Sequence, residues 1–349
     1  MGLLAKITTG AAFLAVVALP MSAFAQQEKV TLKMHSAYGS SLPVLGSMPT
    51  RLIETVSKAS NGTLDLQFFE PNALVPAYGY TDALSQGAIP VAFGASGFHA
   101  AKDPAMSFFN VVPFGPKLSE YMAWMRYGGG QELADKAYAK LNMKAVICGV
   151  IPPEAAGWFR EEITSLDQLQ GLKMRFFGLG GKVIAKFGAS PLAMAGGEIY
   201  QALELGVIDA TEYSMPAIDA SAGFEQIAKH YYFPGWHQQA SLQMLEFNKD
   251  VWDGLSDWHK SVIEIACAAN VVEAEAEGDA IQNDALAKFK AAGVEIHTFS
   301  DEMLAQIEAA WNEVAEETVA GNPDAEEVWN SLKKFREESA EWQSRAYMQ

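Results

Sequence analysis

The sequence is poor in basic residues. Lysine and arginine number 25 against 42 aspartates and glutamates, which gives a formal net charge of -17. An acidic chain repels nucleic acid and anionic membrane surfaces, so we expect neither as a partner. An anionic ligand would need a local positive site, because the global charge repels it.

Long apolar runs are absent after the first 25 residues. Within those residues, Lys6 precedes an apolar stretch from Ala11 to Ala25 that ends in the small-residue pattern Ala23-Phe24-Ala25. This arrangement predicts a secretory signal peptide over residues 1–25, cleaved after Ala25. Its apolar stretch is too short for a membrane anchor. We therefore expect an exported protein.

Cysteine is scarce, with only Cys148 and Cys267 in the chain. Export places them in an oxidising compartment, where a disulfide is permitted. Both lie in apolar runs, AVICGV and IEIACAAN, which are typical of buried positions. We interpret them as buried free thiols, and whether they pair stays open at this point.

Strand and helix patterns alternate along the chain. Val30 to Ser36 and Thr63 to Phe69 both alternate in period two, and a helical pattern lies between them and stops at Asn61-Gly62. The same rhythm begins again near Met143, which predicts an α/β protein of two lobes. We expect lobe I from residues 26–150 plus about 240–262, and lobe II from residues 151–239 plus about 263–300.

The last third of the chain is mostly helical in pattern. From Trp258 to about Ala292 only Gly278 interrupts it, which predicts one helix of about 35 residues, or about 50 Å. A helix of that length would run across both lobes. Residues 301–349 then predict two C-terminal helices, with Pro323 at the start of the second.

Enzyme motifs are poorly matched. The glycines around Gly180 resemble the start of a dinucleotide loop, but Val183 stands where the third glycine belongs. Ser96 lacks the final glycine of a hydrolase nucleophile elbow, since Phe98 occupies that position. The six histidines show no close metal-binding pair. None of these patterns indicates catalysis.

Arg175 has apolar neighbours and glycines around it, in the stretch GLKMRFFGLGG from Gly171 to Gly181. Other polar groups also lie among aromatic residues and glycines at predicted strand ends, where open α/β sheets bind ligands. The residues that we single out at such ends are Phe98, His99, Glu154, Trp158, Arg160, Glu212, Tyr213, Trp236, His237, Gln238 and Gln239. Arg175 is then either a strand-end arginine that reaches water or an arginine held in a cleft for an anion.

Each of these residues also has an ordinary structural explanation. Trp158 and Trp236 are typical core residues, His99 is typical of a loop, and Glu212 suits a helix cap. The functional interpretation therefore depends on their coincidence at strand ends.

The segment from Gly171 to Tyr213 resembles the core signature of TRAP-transporter solute-binding proteins of the DctP type. The stretches from Phe69 to Gly87 and from Lys102 to Gly115 extend the likeness over the mature chain. The resemblance is nearest to the branch of 2-oxoacid binders and proteins labelled mannitol/chloroaromatic. It implies a periplasmic, two-lobed receptor that closes on its ligand and delivers it to membrane permease subunits.

The resemblance also implies roles for particular residues. Arg175 matches the arginine that clamps a substrate carboxylate, often as a bidentate pair. Relatives that bind 2-oxoacids hold a cation with a glutamine, a glutamate followed by an aromatic residue, and a second glutamate. These fall at Glu154, Glu212 with Tyr213, and Gln238, with the glutamine and the second glutamate exchanged. Na⁺ or Ca²⁺ suits such oxygen ligands, but the exchange leaves open whether a metal binds.

We therefore expect a receptor for a small organic acid anion, without enzymatic activity. Arg175, Glu154, Trp158, Phe98, His99, Tyr213 and Trp236 are the expected substrate contacts. Two alternatives stay open: a periplasmic enzyme acting on acidic sugars through Glu154 and Glu212, and a receptor for a sugar acid or aromatic carboxylate without metal. The identity of the acid, and a homodimer through the C-terminal helices, also stay open.

Overall fold

The structure of the protein is a computed structural model that describes residues 28–346. The predicted signal peptide lies outside the described residues. Within them, no helix combines the length and the apolar character that crossing a membrane requires.

Two mixed sheets organise the described chain. The first has strand order β2-β1-β3-β10-β4 and the second has the order β11-β9-β5-β8-β6-β7. The strands are β1 Val30–Ser36, β2 Leu64–Phe69, β3 Val91–Gly94, β4 Met143–Ile151, β5 Gly157–Phe159, β6 Lys173–Arg175, β7 Ser190–Leu192, β8 Ala210–Thr211, β9 His230–Phe233, β10 Ser241–Asn248 and β11 Glu295–Thr298.

Helices pack around both sheets. They are α1 Ser47–Ala59, α2 Tyr80–Ser85, α3 Leu118–Tyr127, α4 Gly130–Lys140, α5 Leu179–Ala185, α6 Gly196–Glu204, α7 Pro216–Ala222, α8 Lys249–Gly254, α9 Asp257–Ala280, α10 Gln282–Ala291, α11 Asp301–Val319 and α12 Pro323–Ala346. The α/β fold class with C-terminal helices is confirmed. We call the part built on the first sheet lobe I and the part built on the second sheet lobe II.

Parallel strand pairs bring carboxyl ends together in both sheets. β1 pairs in parallel with β2 and β3, so their carboxyl ends meet at one edge of the first sheet. β6 pairs in parallel with β7 and β8 in the second sheet. The chain passes between the sheets after β4, again before β10, and a third time through α8, α9 and α10 between β10 and β11. We call residues 152–156 and 234–240, which make the first two passages, the crossing segments. The residue boundaries of the lobes stay a prediction.

The prediction of one uninterrupted helix from Trp258 to Ala292 is wrong, because the helix breaks after Ala280. The structure has α9 and α10 with a turn at Ile281. The side chain of Gln282 donates to the carbonyl of Gly278, and its Oε1 accepts from the amide of Ala217 at 2.9 Å. Gln282 thus ties the junction to α7, and α10 packs against α7. Gly278 lies against Pro152 of the first crossing segment, so α9 does reach from lobe I to the boundary of lobe II.

The interpretation of the cysteines as free thiols is wrong. Cys148 on β4 and Cys267 on α9 form a disulfide across 119 residues, and both are fully buried. The apolar runs correctly indicated burial. The pairing follows from the packing of α9 on β4, which the two isolated runs do not reveal.

Candidate functional site: a cleft between the two sheets

A cleft of about 540 Å³ lies between the two lobes. Lobe I contributes Tyr38 after β1 and Phe98 after β3, and lobe II contributes Arg175 at the end of β6. The crossing segments contribute Glu154 and Gln238. Strand ends from both sheets therefore face one space, which is where open α/β sheets bind ligands.

Arg175 is the cation of this cleft. The residue is 5% exposed, and its guanidinium donates through Nη1 to the Oε2 of Glu212 at 2.7 Å and to the backbone carbonyl of Glu212 at 2.9 Å. Nη2 donates to the hydroxyl of Tyr78 at 3.3 Å, and the ring of Tyr213 lies 5.6 Å from the guanidinium carbon. Burial would lower the pKa of Arg175, but Glu212, Tyr78 and Tyr213 together outweigh burial, and the pKa rises above its ordinary value.

Two buried carboxylates accompany the arginine. The Oε2 of Glu212 also accepts from the amide of Phe177 at 2.9 Å. Burial would raise the pKa of Glu212, but the charge of Arg175, together with His237 and the amide of Phe177, outweighs burial and the pKa is lowered. Glu154 accepts from the hydroxyl of Ser214 at 2.8 Å, and its pKa is raised, chiefly by burial and also by the charge of Glu212. Two carboxylates thus share one buried region.

His237 lies between these carboxylates. Its Nε2 is 3.3 Å from Glu154 Oε2 and 3.7 Å from Glu212 Oε1. Burial would lower the pKa of His237, but its contacts with Glu154 and Glu212 raise it to about 9. The three side chains bring ligand atoms within 4.8 Å of one another, a spacing that a metal ion can bridge.

The structure brings six of the predicted site residues to the cleft. Those that line it are Phe98, Glu154, Arg175, Glu212, Tyr213 and Gln238. Glu212 and Tyr213 follow β8 directly, next to the end of β6 that carries Arg175, because β6 and β8 pair in parallel. Their roles in binding stay predictions, which the geometry supports.

Three predicted contacts lie elsewhere. Trp158 is fully buried in the lobe II core, where its Nε1 donates to Asp219 at 2.9 Å. Trp236 packs between Phe114 and Phe176.

His99 is fully buried in lobe I, with its ring nitrogens 2.9 Å from Thr81 and 2.9 Å from Glu246. Trp158, Trp236 and His99 are absent from the cleft lining, and the ordinary structural explanation fits them. We leave all three out of the proposed site.

Several residues of the cleft were not among the predicted site residues. They are Tyr38, Tyr78, Asn110, Phe177, Ser241 and Gln243. Tyr38 follows β1 within the first strand-end segment, so the same strand-end rule would have found it. Ser241 begins β10 and Gln243 lies inside it, so a rule for the carboxyl ends of strands passes over both.

Two α/β lobes that enclose a buried arginine beside paired carboxylates define a two-lobed protein that binds small anions. Comparison with known proteins agrees. The model of the DctP family, bacterial extracellular solute-binding protein family 7, matches residues 35–322. The chain belongs to this family.

Named relatives cover most of the chain. A monocarboxylate 2-oxoacid-binding periplasmic protein of Nostoc is 30% identical over 287 residues, which cover 82% of this chain and 79% of the relative. A TRAP solute-binding protein from Colwellia psychrerythraea with bound calcium and pyruvate matches with a TM-score of 0.87 and 31% identity, over 92% of this chain and 99% of that one. A TRAP solute-binding protein from Bordetella bronchiseptica is a dimer with calcium and picolinate bound at one active site. It matches with a TM-score of 0.88 and 31% identity, over 90% of this chain and 94% of that one.

Proposed function

We propose that this protein is the periplasmic receptor of a TRAP transporter and that it binds a 2-oxoacid or a related monocarboxylate in the cleft. The observation that carries the proposal is Arg175. It is the one lysine or arginine among the described residues that line the cleft, and it is held there by Glu212. An anion that reaches the cleft meets a single fixed guanidinium whose geometry suits a carboxylate.

Lobe closure makes that contact strong. Removing water lowers the local dielectric constant, so the attraction between Arg175 and a bound carboxylate grows. Tyr78 of lobe I already contacts Arg175 and also donates to the carbonyl of Met194 in lobe II at 3.1 Å. A ligand that contacts both lobes binds the closed state better than an open one, which turns binding into a conformational signal for the permease.

A hard cation fits the donor set beside the arginine. Glu154, Glu212 and Gln238 offer side-chain oxygens, and Glu154 and Glu212 are buried carboxylates with Arg175 as the nearby arginine. The pKa of Glu154 is raised, chiefly by burial and also by the charge of Glu212, so a bound cation would favour the charged form of both carboxylates. These residues, with Tyr213, would hold Ca²⁺ or Na⁺, which would supply positive charge to the oxygens of the ligand.

We propose a periplasmic location from the predicted signal peptide and from the periplasmic relatives. We propose no reaction: Glu154 and Glu212 are assigned here to the cation and to Arg175. Incubating the protein with pyruvate and finding the acid unchanged by NMR would support this, and a new product would favour the enzyme alternative. A homodimer stays a prediction, which light scattering of the purified chain would decide.

A thermal-shift screen tests the proposed function. The mature protein is heated with pyruvate, picolinate and a neutral sugar, each with Ca²⁺, with chelator, and in sodium-free buffer. A ligand at about a thousand times its dissociation constant should add about 4 kcal/mol to the free energy of unfolding. We expect shifts for the carboxylates alone.

Arginine variants complete the test. Arg175→Lys keeps the charge but loses the two-pronged guanidinium, so we expect the carboxylate shift to shrink strongly. Arg126→Lys, an exposed arginine on α3, is the matched control. A response to the neutral sugar alone, or an undiminished carboxylate response in Arg175→Lys, would contradict the proposal.

A further inference from the structure

Two histidines meet at the edge of the second sheet. β11 is the edge strand there, and it pairs in parallel with β9 so that His230 lies opposite Glu295. Since side chains alternate between the two faces along a strand, His297 lies on the same face as Glu295 and His230. We call His230, Glu295 and His297 the edge site. The two histidines are 67 residues apart in the chain, so the pair is made by the fold and not by sequence spacing.

The ligand atoms of the edge site converge. His230 Nδ1 lies 3.0 Å from His297 Nε2, and that same Nε2 lies 3.9 Å from Glu295 Oε2. Each of the three residues offers one ligand atom within 4.8 Å of those of the other two. The ligand atoms of a tetrahedral zinc ion lie about 3.3 Å apart. The Glu295 side chain is 66% exposed, so a small movement of its carboxylate would bring all three atoms within bonding distance of one ion.

The imidazole of His297 is held in place for such a role. The ring of Tyr232 stacks on it, with the ring centroids 4.7 Å apart, and the Tyr232 hydroxyl accepts from the amide of Ile163 at 2.7 Å. At the other ring nitrogen, Nδ1 of His297 lies 3.8 Å from Glu162 Oε1. This is longer than a hydrogen bond, but the Glu162 side chain is 53% exposed and has room to approach. A carboxylate at the second ring nitrogen is the usual partner of a metal-bound histidine, because it orients the ring and raises its basicity.

The charges around the edge site favour a cation. Glu162 and Glu295 both lie within 4 Å of His297, and neither forms an ion pair with a lysine or arginine among the described residues. Neutral imidazoles leave these two carboxylates without a counter-charge. A divalent ion would supply it at the point where the nitrogen and oxygen atoms converge.

The ligand types decide the class of metal. Imidazole nitrogen suits Zn²⁺ and related transition metal ions, whereas Ca²⁺ prefers oxygen ligands alone. The edge site offers two nitrogens and one carboxylate, and none of its residues lines the cleft. It would therefore select a different ion from the one proposed for the cleft.

We propose that the edge site binds Zn²⁺ or a related transition metal ion, which fastens β11 to β9. Without the ion, one imidazole nitrogen donates to the other across 3.0 Å. The ion takes the place of that hydrogen and joins the two strands through bonds to both rings. β11 follows the third passage of the chain between the sheets, so the ion secures the end of that passage to lobe II. This inference is independent of the proposed function.

Zinc titration calorimetry of the mature protein, prepared without a polyhistidine tag, tests the inference. We expect the wild type to bind Zn²⁺, and the affinity to fall about tenfold or more in His230→Gln and in His297→Gln, because each removes a nitrogen ligand. His237→Gln is the matched control, since His237 also lies beside two carboxylates but away from β11. It should keep the zinc affinity of the edge site. An equal concentration of Ca²⁺ should not displace the zinc.

Hydrogen exchange adds a readout at the strand itself. Zn²⁺ should slow amide exchange in β11 of the wild type but not of His297→Gln, and circular dichroism checks that every variant folds. A wild type that binds no zinc, or equal zinc affinity in the wild type and both edge variants, would overturn the inference. Loss of zinc binding in His237→Gln alone would also overturn it, because the ion would then belong to the cleft. Failure of the proposed function would leave all these results unchanged, since no carboxylate ligand enters them.

Discussion

At the scale of single residues, the cleft is built on charges that would be costly to bury alone. The ion pair of Arg175 with Glu212 has both side chains less than a tenth exposed. Such a pair adds little net stability, and breaking it leaves an unpaired buried charge. Its presence at a cleft, and away from the cores, is what points to a ligand.

Glu154 gives a prediction about the cation. Glu154→Gln removes one of the two negative charges proposed to hold it, so we expect calcium affinity at saturating pyruvate to fall about tenfold or more. Calcium titration calorimetry measures this. Glu161→Gln, at an exposed glutamate of lobe II, is the control. Unchanged calcium affinity in Glu154→Gln would remove Glu154 from the cation site.

Residue types in the sequence predicted the charged half of the site better than the aromatic half. An arginine among phenylalanines, and a glutamate directly after a strand, are rare enough to be informative. Trp158 and Trp236 are not, because large aromatic side chains are also what a core needs. Whether a tryptophan on a three-residue strand faces the cleft or the core depends on the packing of other elements, which local sequence does not contain.

At the scale of elements, α9 holds lobe I together. Arg51 of α1 donates to Glu277 of α9 at 2.9 Å and to Asn270 at 2.8 Å. Asn270 in turn donates to the backbone carbonyls of Met48 and Cys148. The long helix is therefore joined to both α1 and β4 by polar contacts.

Glu277 gives a pH prediction. Burial would raise its pKa, but hydrogen bonds from Arg51, Ser47 and the Val44 amide, with the charge of Arg51, together outweigh burial and the pKa is lowered. A folded-state pKa below the unfolded value means that stabilisation is present above the unfolded pKa and is lost as pH falls through the folded pKa. Glu277→Gln should therefore lower the free energy of unfolding by about 1 kcal/mol at pH 7 and by less at pH 3.

Urea unfolding of the variant at both pH values measures this difference. Glu275→Gln, at an exposed glutamate on the same helix, should change stability little at either pH. A deficit in Glu277→Gln that is equal at pH 7 and pH 3 would show that its charge is not what stabilises the contact.

The disulfide gives a second prediction at this scale. Joining positions 119 residues apart restricts the unfolded chain, which stabilises the fold by an amount on the order of 4 kcal/mol. We expect the reduced protein to unfold at a lower urea concentration than the oxidised wild type. The double variant Cys148→Ala with Cys267→Ala should also have a lower urea midpoint than the oxidised wild type. Reductant should have no further effect on the double variant. Equal midpoints in oxidised and reduced wild type would contradict a stabilising disulfide.

Element boundaries show what local patterns miss. The strands β1 and β2 lie where the period-two patterns predicted them, and β4 begins at Met143, where the second α/β rhythm was expected. The turn at Ile281 has no such signal, since Gln282 acts through Gly278 and α7. The pairing of Cys148 with Cys267 likewise needs the packing of α9 on β4.

At the scale of the whole molecule, the repeated rhythm of strands and helices predicted two lobes, and two sheets are present. No strand was predicted at β10, although residues from about 240 were expected in lobe I, and β10 places Ser241 and Gln243 on the cleft wall. Long-range pairing of this kind is set by tertiary packing and not by local pattern.

Lobe closure gives a prediction for Tyr78. Its hydroxyl joins lobe I to Arg175 and Met194 of lobe II. Tyr78→Phe keeps the ring against Phe98 but removes these contacts, so the closed state should be less populated without ligand. Small-angle X-ray scattering should show a larger radius of gyration for the ligand-free variant than for the wild type, and saturating ligand should bring the two together.

The central claim is that Arg175 holds the carboxylate of the ligand inside the cleft. A crystal structure of the mature protein grown with Ca²⁺ and pyruvate tests it most directly. The account predicts a carboxylate whose oxygens accept hydrogen bonds from the guanidinium of Arg175, with the lobes closed over it. A bound pyruvate that lies outside the cleft, or inside it with Arg175 contacting only Glu212 and Tyr78, would contradict the account.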